Sequence, residues 1–163
     1  MRACTIRPMT PEDIPAVTKW MVTVPLWQRY QLSASDVSAQ FAQALKQDHI
    51  LLVADRAPDG RCCGFVWCLP RGGFGRSAYI RLLGVQAEHT GAGIGTALLT
   101  RAERTAAEAS SDMFLLVSDF NLAAQRFYRR HSYQQVGAIP GYVLPDVTEL
   151  IFWKRLHEIC QSM

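Results

Sequence analysis

The chain has 163 residues, enough for one compact domain and short for two. Nearly half of the residues (49%) are apolar and 19% are charged, which supports a real core and excludes wholesale disorder. Seventeen Lys and Arg against fourteen Asp and Glu leave a net charge of +3 without a basic run, which points away from dedicated nucleic-acid binding while still allowing steering of a polyanionic ligand.

In chain order, Thr5 to Arg7 reads as a short strand, and Thr10-Pro11-Glu12-Asp13 opens a helix with capping-box spacing and Pro at its first position. Trp20 to Leu32, rich in Trp, Tyr and Pro, has no clear period. Ser33 or Ser35 starts a second helix with Val37, Phe41, Ala44 and Leu45 on one face. His49 to Asp55 and Cys62 to Leu69 form a hairpin across Ala57-Pro58-Asp59-Gly60. Arg71 to Gly75 is expected as a flexible loop, and Tyr79 to Val85 as the next strand. A helix then runs from the glycine-rich turn to about Ala109, followed by a strand from Met113 to Ser118 and a helix from about Asn121 to His131. Gln134 to Ile139 and Glu149 to Lys154 are the closing strands. This mixture predicts a single α/β (α+β) domain over residues 1–163, with one largely antiparallel sheet flanked by helices.

No segment has the apolar length needed to span a membrane, and MRACTIRPMTPEDIP does not read as a signal peptide. The five cysteines, Cys4, Cys62, Cys63, Cys68 and Cys160, show no repeated C-x-x-C pairing. Reduced thiols in a cytoplasmic setting are therefore expected, with no metal site. A symmetric dimer is open, since nothing in the chain specifies an interface.

Two segments carry chemistry. Gly91, Gly93 and Gly95 fall between a strand and a helix whose Ile94, Leu98, Ala102 and Ala106 recur at i, i+4 and should face the sheet. Such a turn lets backbone approach a ligand closely, and the unpartnered N–H groups of a helix start suit phosphate. The turn alone is equally compatible with a tight strand-to-helix connection. It has neither the Gly-Lys-Ser/Thr of a Walker loop nor the Gly-x-Gly-x-x-Gly spacing of a nicotinamide dinucleotide site. Asn121, Ala124 and Tyr128 then share one helix face, beside the apolar stripe Phe120, Ala123 and Phe127.

The ordered pair Thr90-Gly91-Ala92-Gly93-Ile94-Gly95-Thr96-Ala97-Leu98-Leu99 and Val117-Ser118-Asp119-Phe120-Asn121-Leu122-Ala123-Ala124-Gln125-Arg126-Phe127-Tyr128 resembles the two motifs of the GNAT acetyltransferase superfamily. The opening Ile6-Arg7-Pro8-Met9-Thr10-Pro11-Glu12-Asp13 is similar to the start of that family. The resemblance covers nearly the whole chain, most specifically residues 79–133. It implies a GNAT-like fold and transfer of an acetyl group from acetyl-CoA, with CoA as product, to a primary amine by direct attack in a ternary complex. The acceptor is a small molecule or a peptide amine, with no nucleic-acid or membrane partner. A noncatalytic acyl-CoA-binding or sensing module is the alternative.

By the same resemblance, Leu83, Gly84 and Val85 bond the pantetheine arm through backbone groups, and a backbone N–H near Val85 stabilises the developing oxyanion. Thr90, Gly91, Ala92, Gly93, Gly95 and Thr96 surround the pyrophosphate. Asn121, Ala124, Phe127 and Tyr128 line the remaining cofactor path. Thr90 stands where the family carries Arg or Gln, removing one partner for phosphate, and Ser132 replaces a Gly before Tyr133.

Tyr128 suits the general acid, because a phenol with a pKa of about 10 stays protonated at neutral pH. Among Glu88, His89, Asp119 and Glu149, no motif fixes a base, and neither Tyr79 nor Arg81 is an obvious one. Deprotonation through water, helped by Glu149, is the expectation. Trp27, Tyr30, Phe74 and Tyr142 form a candidate aromatic wall for the acceptor, with packing of the N-terminal helices as the equally good alternative.

Overall fold

The computed structural model describes residues 4–156, so Cys160 lies outside the described residues. Its strands are β1 (Cys4–Pro8), β2 (Ile50–Arg56), β3 (Arg61–Gly73), β4 (Ser77–Val85), β5 (Asp112–Ser118), β6 (Gln134–Pro140) and β7 (Thr148–Arg155). The α-helices are α1 (Ile14–Met21), α2 (Pro25–Arg29), α3 (Ala34–Leu45), α4 (Ile94–Ala106) and α5 (Leu122–Arg130). One sheet holds the strands in the order β1-β2-β3-β4-β5-β7-β6. Every pairing is antiparallel except β4 with β5.

Local chemistry sets the helix starts. The Ser33 hydroxyl accepts the Asp36 backbone N–H at 3.2 Å, a cap that contributes about 1 kcal/mol. Thr10 donates its backbone N–H to Asp13 at 2.7 Å and begins a 3₁₀ turn, Pro11–Asp13, that leads into α1. Trp20 to Leu32, which has no period in the sequence, contains the end of α1 and the short α2.

The sheet is covered on both sides. Helices α1 and α3 bury Val17, Met21, Val37 and Phe41 against Leu51, Val53, Phe65 and Trp67. Helix α4 buries Ile94, Leu98, Ala102 and Ala106 against the opposite face, on Leu52, Ala54 and Val66. The covering on both sides is why Leu51–Ala54 is a continuous apolar run, all of it buried.

One expected element is corrected. Arg71 to Gly75 is not a flexible loop: β3 continues to Gly73, which pairs with Ser77. Phe74 (φ 57°) and Gly75 (φ 68°) make the reversal, closed by Arg76 N–H on the Gly73 carbonyl at 3.1 Å. Two successive positive φ angles match the twist of a tight hairpin, which leaves no room for a loop.

Two irregularities of β4 shape the site. Trp67 pairs with Leu82 and Cys68 with Ile80, so Arg81 is an extra, unpaired residue in the ladder. A bulge of this kind reverses the alternation of side chains. Ile80 packs on the α4 side before it and Leu82 on the α1–α3 side after it, while Leu83 and Val85 return to the α4 side. In addition, β4 pairs with β5 only across Ala78–Ile80 and Met113–Leu115. Beyond that point the two strands separate, and the edge of β4 facing β5 is left open from Arg81 to Val85.

Candidate active site

Two cavities open beside the free end of β4. One, of about 400 Å³, is lined by Leu83, Val85, Thr90, Gly91, Gly93, Gly95, Thr96, Ala124, Phe127, Tyr128 and Arg130, among others. The other, of about 330 Å³, is lined by Leu26, Trp27, Tyr30, Tyr79, Leu116, Ser118, Asn121, Val143 and Glu149, and again by Leu83, Ala124 and Tyr128. The cavities therefore meet at Leu83, Ala124 and Tyr128.

The first cavity is a backbone cradle. Gly91 (φ 78°) and Gly93 (φ 80°) adopt left-handed conformations, and a Cβ on either would meet no atom within 4 Å. Glycine is required there by the backbone rather than by crowding, and the space beside it is open. Gly93 is the N-cap of α4, so the first N–H groups of a 13-residue helix, with its positive dipole end, face this opening. Gly95 serves packing: a Cβ there would touch the Phe127 ring at 3.4 Å. The Thr90 hydroxyl donates to the Ala87 carbonyl at 2.9 Å and closes the preceding turn.

Helix α5 supplies the facing wall. Asn121 caps it, its Oδ1 accepting the Ala124 N–H at 3.2 Å, which leaves the amide NH₂ as a donor beside the second cavity. His131 is 2.7 Å from the Phe127 carbonyl through Nδ1 and 3.0 Å from the Thr96 hydroxyl through Nε2. A carbonyl only accepts, so Nδ1 carries a proton, and in the neutral ring Thr96 donates to Nε2. This chain fastens the C-terminal end of α5 to the start of α4.

Tyr128 is 7% exposed, with its ring edge-on to Phe127 and Tyr133. Burial, reinforced by the neighbouring Tyr79, pushes its phenol above the usual range, so an O–H donor stands where the cavities meet. In the second cavity Glu149 is 5% exposed and accepts a short hydrogen bond from the Tyr30 hydroxyl on Oε1. The same hydroxyl lies 2.5 Å from Ser118 Oγ. Burial and the hydrogen bond to Glu149 push the Tyr30 phenol up to about 12.

Not every expected site residue falls here. A Cβ on Gly84 would lie 2.4 Å from Trp27 Cη2, on the α1–α3 side, so this residue can join the site only through its backbone. Ala92 is exposed at the turn and lines neither cavity. Phe74 is 86% exposed at the β3–β4 turn, edge-on to Phe114, and Tyr142 is 60% exposed. Neither of these aromatics lines either of the two cavities, whereas Trp27 and Tyr30 line the second. The Asp119 carboxylate accepts the Thr148 N–H at 3.2 Å, and Glu88 lies outside both cavities. Sequence reasoning did not single out Arg130, which lines the glycine-turn cavity and brings a cation that Thr90 lacks. Nor did it single out Ser118, Leu116 or Val143.

Comparison with known proteins agrees with this architecture. The yncA structure from Salmonella typhimurium, which carries its cofactor acetyl-CoA, superimposes with a TM-score of 0.76 at 17% identity, covering 94% of each chain. An N-acetyltransferase from Staphylococcus aureus Mu50 gives 0.79 at 16% identity, over 94% of this chain and 99% of that one. A ribosomal-protein-alanine N-acetyltransferase from Brucella melitensis gives 0.77 at 20% identity, over 93% and 99%. These likenesses show the fold. No curated protein matches the sequence. The family model for the acetyltransferase (GNAT) family matches residues 15–133, and the chain belongs to that family of acyltransferases.

Proposed function

We propose that residues 1–163 form one N-acetyltransferase domain that moves an acetyl group from acetyl-CoA to a primary amine by direct attack within a ternary complex. The meeting of the two cavities at Leu83, Ala124 and Tyr128 carries this reading. A cofactor path and an acceptor path must converge on one point for a direct transfer.

The residues fit the cofactor. The open β4 edge offers backbone N–H and C=O groups to an extended arm with amides of its own, as a strand edge does. The open glycine turn and the α4 start offer donors for the pyrophosphate, with Arg130 adding charge. Acetyl-CoA supplies an activated acyl group and a thiol leaving group.

The chain's own contributions follow from the site. Holding both reactants in one gap supplies alignment, on the order of 7–11 kcal/mol in well-oriented cases. The β4 edge near Val85 provides a preorganised N–H for the developing oxyanion. Conversion of an ammonium and a thioester to an amide and a thiol releases one proton overall. Glu149 takes the ammonium proton, and Tyr128 holds its proton at Oη where the two cavities meet, from where it would protonate a thiolate and be reprotonated by the second proton of the attacking nitrogen.

Thiol release from acetyl-CoA across a panel of amines tests the activity. Tyr128→Phe should lower kcat by about 100-fold or more, with the KM for acetyl-CoA within about twofold because the aromatic packing is kept. Equal kcat in the two forms at saturating substrates would remove Tyr128 from the mechanism.

A further inference from the structure

Resting on that reading, we infer that the acceptor is a small primary monoamine with an apolar body, and that its ammonium docks on Oε2 of Glu149. The second cavity contains two charged side chains among its lining residues, Glu149 and Arg81. Glu149 is the buried one, and its Oε1 accepts the Tyr30 hydroxyl. Its Oε2 is not sealed from solvent, so it opens into the cavity, where a ligand ammonium can reach it. Polycations are disfavoured: one carboxylate neutralises one ammonium, and Arg81, stacked 4.3 Å above the Trp67 ring, repels a second.

The walls decide against a polypeptide. Leu26, Trp27, Leu32, Leu116 and Val143 present apolar surface. The polar lining groups, Tyr79, Ser118 and the Asn121 amide among them, are enough for one end of a small ligand and too few for the repeated donors and acceptors of an extended peptide. The α2 wall is also tied across the gap to the opposite wall. Arg29 reaches Asp146 at 3.2 Å and lies 4.0 Å over the Phe120 ring, while Tyr30 bonds Ser118 and Glu149. A volume of about 330 Å³ behind such a bridge is at the lower end of the range for small-molecule pockets.

Calorimetric titration of the full chain, saturated with CoA, tests the inference with phenethylamine, spermidine, a tetrapeptide with a free N-terminus and phenethyl alcohol. Phenethylamine should bind at least about tenfold more tightly than each of the others, a difference of about 1.4 kcal/mol. Glu149→Gln should weaken phenethylamine binding by a similar factor while keeping the wild-type CoA-dependent thermal shift, which reports an intact fold and cofactor cavity. Tighter binding of the peptide or spermidine, equal binding of the alcohol, or unchanged binding by Glu149→Gln would overturn the inference. Thiol release separates the two readings. Phenethylamine that binds as expected without acetyl transfer sinks the proposed activity and leaves the ligand class standing. Acetylation of the peptide without phenethylamine binding does the reverse.

Discussion

Glu149 and Asp13 are both carboxylates held by neighbours, yet they are held to different ends. Glu149 has one oxygen engaged by Tyr30, inside a mostly apolar cavity, an arrangement that leaves the other oxygen open to that cavity. Asp13 is fully occupied: Arg7 reaches both its oxygens at 2.8 Å, and the Thr10 N–H adds a third bond at 2.7 Å. The Arg7 guanidinium holds the Asp13 carboxyl below its ordinary value of 3.8. A depressed carboxyl binds its proton more weakly in the folded chain than in the unfolded one. Its stabilisation is therefore present above about pH 4 and is lost as pH falls through the folded value. Asp13→Asn should cost about 1 kcal/mol at pH 7, the upper end of the range for ion pairs near the surface. Urea titrations should show that gap closing as pH falls through the folded value, where the wild type loses the same interaction. A gap of constant size across the acid range would show that Asp13 acts by shape or capping rather than by charge.

At the scale of elements, β4 does most to position the site, and its conformation depends on contacts far away in sequence. The bulge at Arg81 and the separation from β5 turn Leu83 and Val85 toward the glycine-turn cavity and leave Gly84 beneath Trp27. Gly84→Ala would put a Cβ 2.4 Å from Trp27 Cη2 and force the ring, which also lines the acceptor cavity, to move. It should destabilise the fold by about 1–3 kcal/mol through overpacking and raise the KM for the acceptor several-fold, with that for acetyl-CoA little changed. An unaltered acceptor KM would mean that Trp27 takes no part in shaping that cavity. Features of this kind separate what the sequence makes legible from what it does not. The α4 stripe Ile94, Leu98, Ala102 and Ala106, the Ser33 cap and the glycine turn are local patterns, readable within a few residues. The bulge depends on the register between β3 and β4, which hydrophobic alternation along β4 alone does not contain. The Tyr30–Glu149 contact joins residues 119 apart, so sequence supplied both as candidates for separate roles without pairing them. A strand ending at Leu69 would leave Phe74 in a loop free to fold over the site; the longer β3 carries it to a turn tip.

Across the whole molecule, the two cavities lie between helices and strands that must keep their relative placement, and a buried charged contact joins the two parts. Glu103 on α4, the helix that begins at the glycine turn, is 6% exposed. It accepts Lys154 Nζ at 3.0 Å on both oxygens and the Tyr133 hydroxyl at 2.9 Å. Lys154 lies on β7, the strand that carries Glu149, so the helix that begins at the glycine turn and the Glu149 carboxylate share a fixed frame. Burial and the Glu103 charge together push the Tyr133 phenol upward, which keeps it a donor in this network. Such a pair adds little net stability over a well-packed apolar pair, but breaking it from one side leaves an uncompensated charge inside the protein. Lys154→Met should therefore destabilise the chain by about 3–5 kcal/mol in urea denaturation. The double change Glu103→Gln with Lys154→Met should recover most of that loss, because the amide still accepts from Tyr133 and no buried charge remains. If the double variant is as unstable as the sum of the two singles, α4 and β7 are held together by packing alone. If it recovers as expected, acetyl-CoA affinity should recover with it, since the helix start and the β4 edge depend on the same placement.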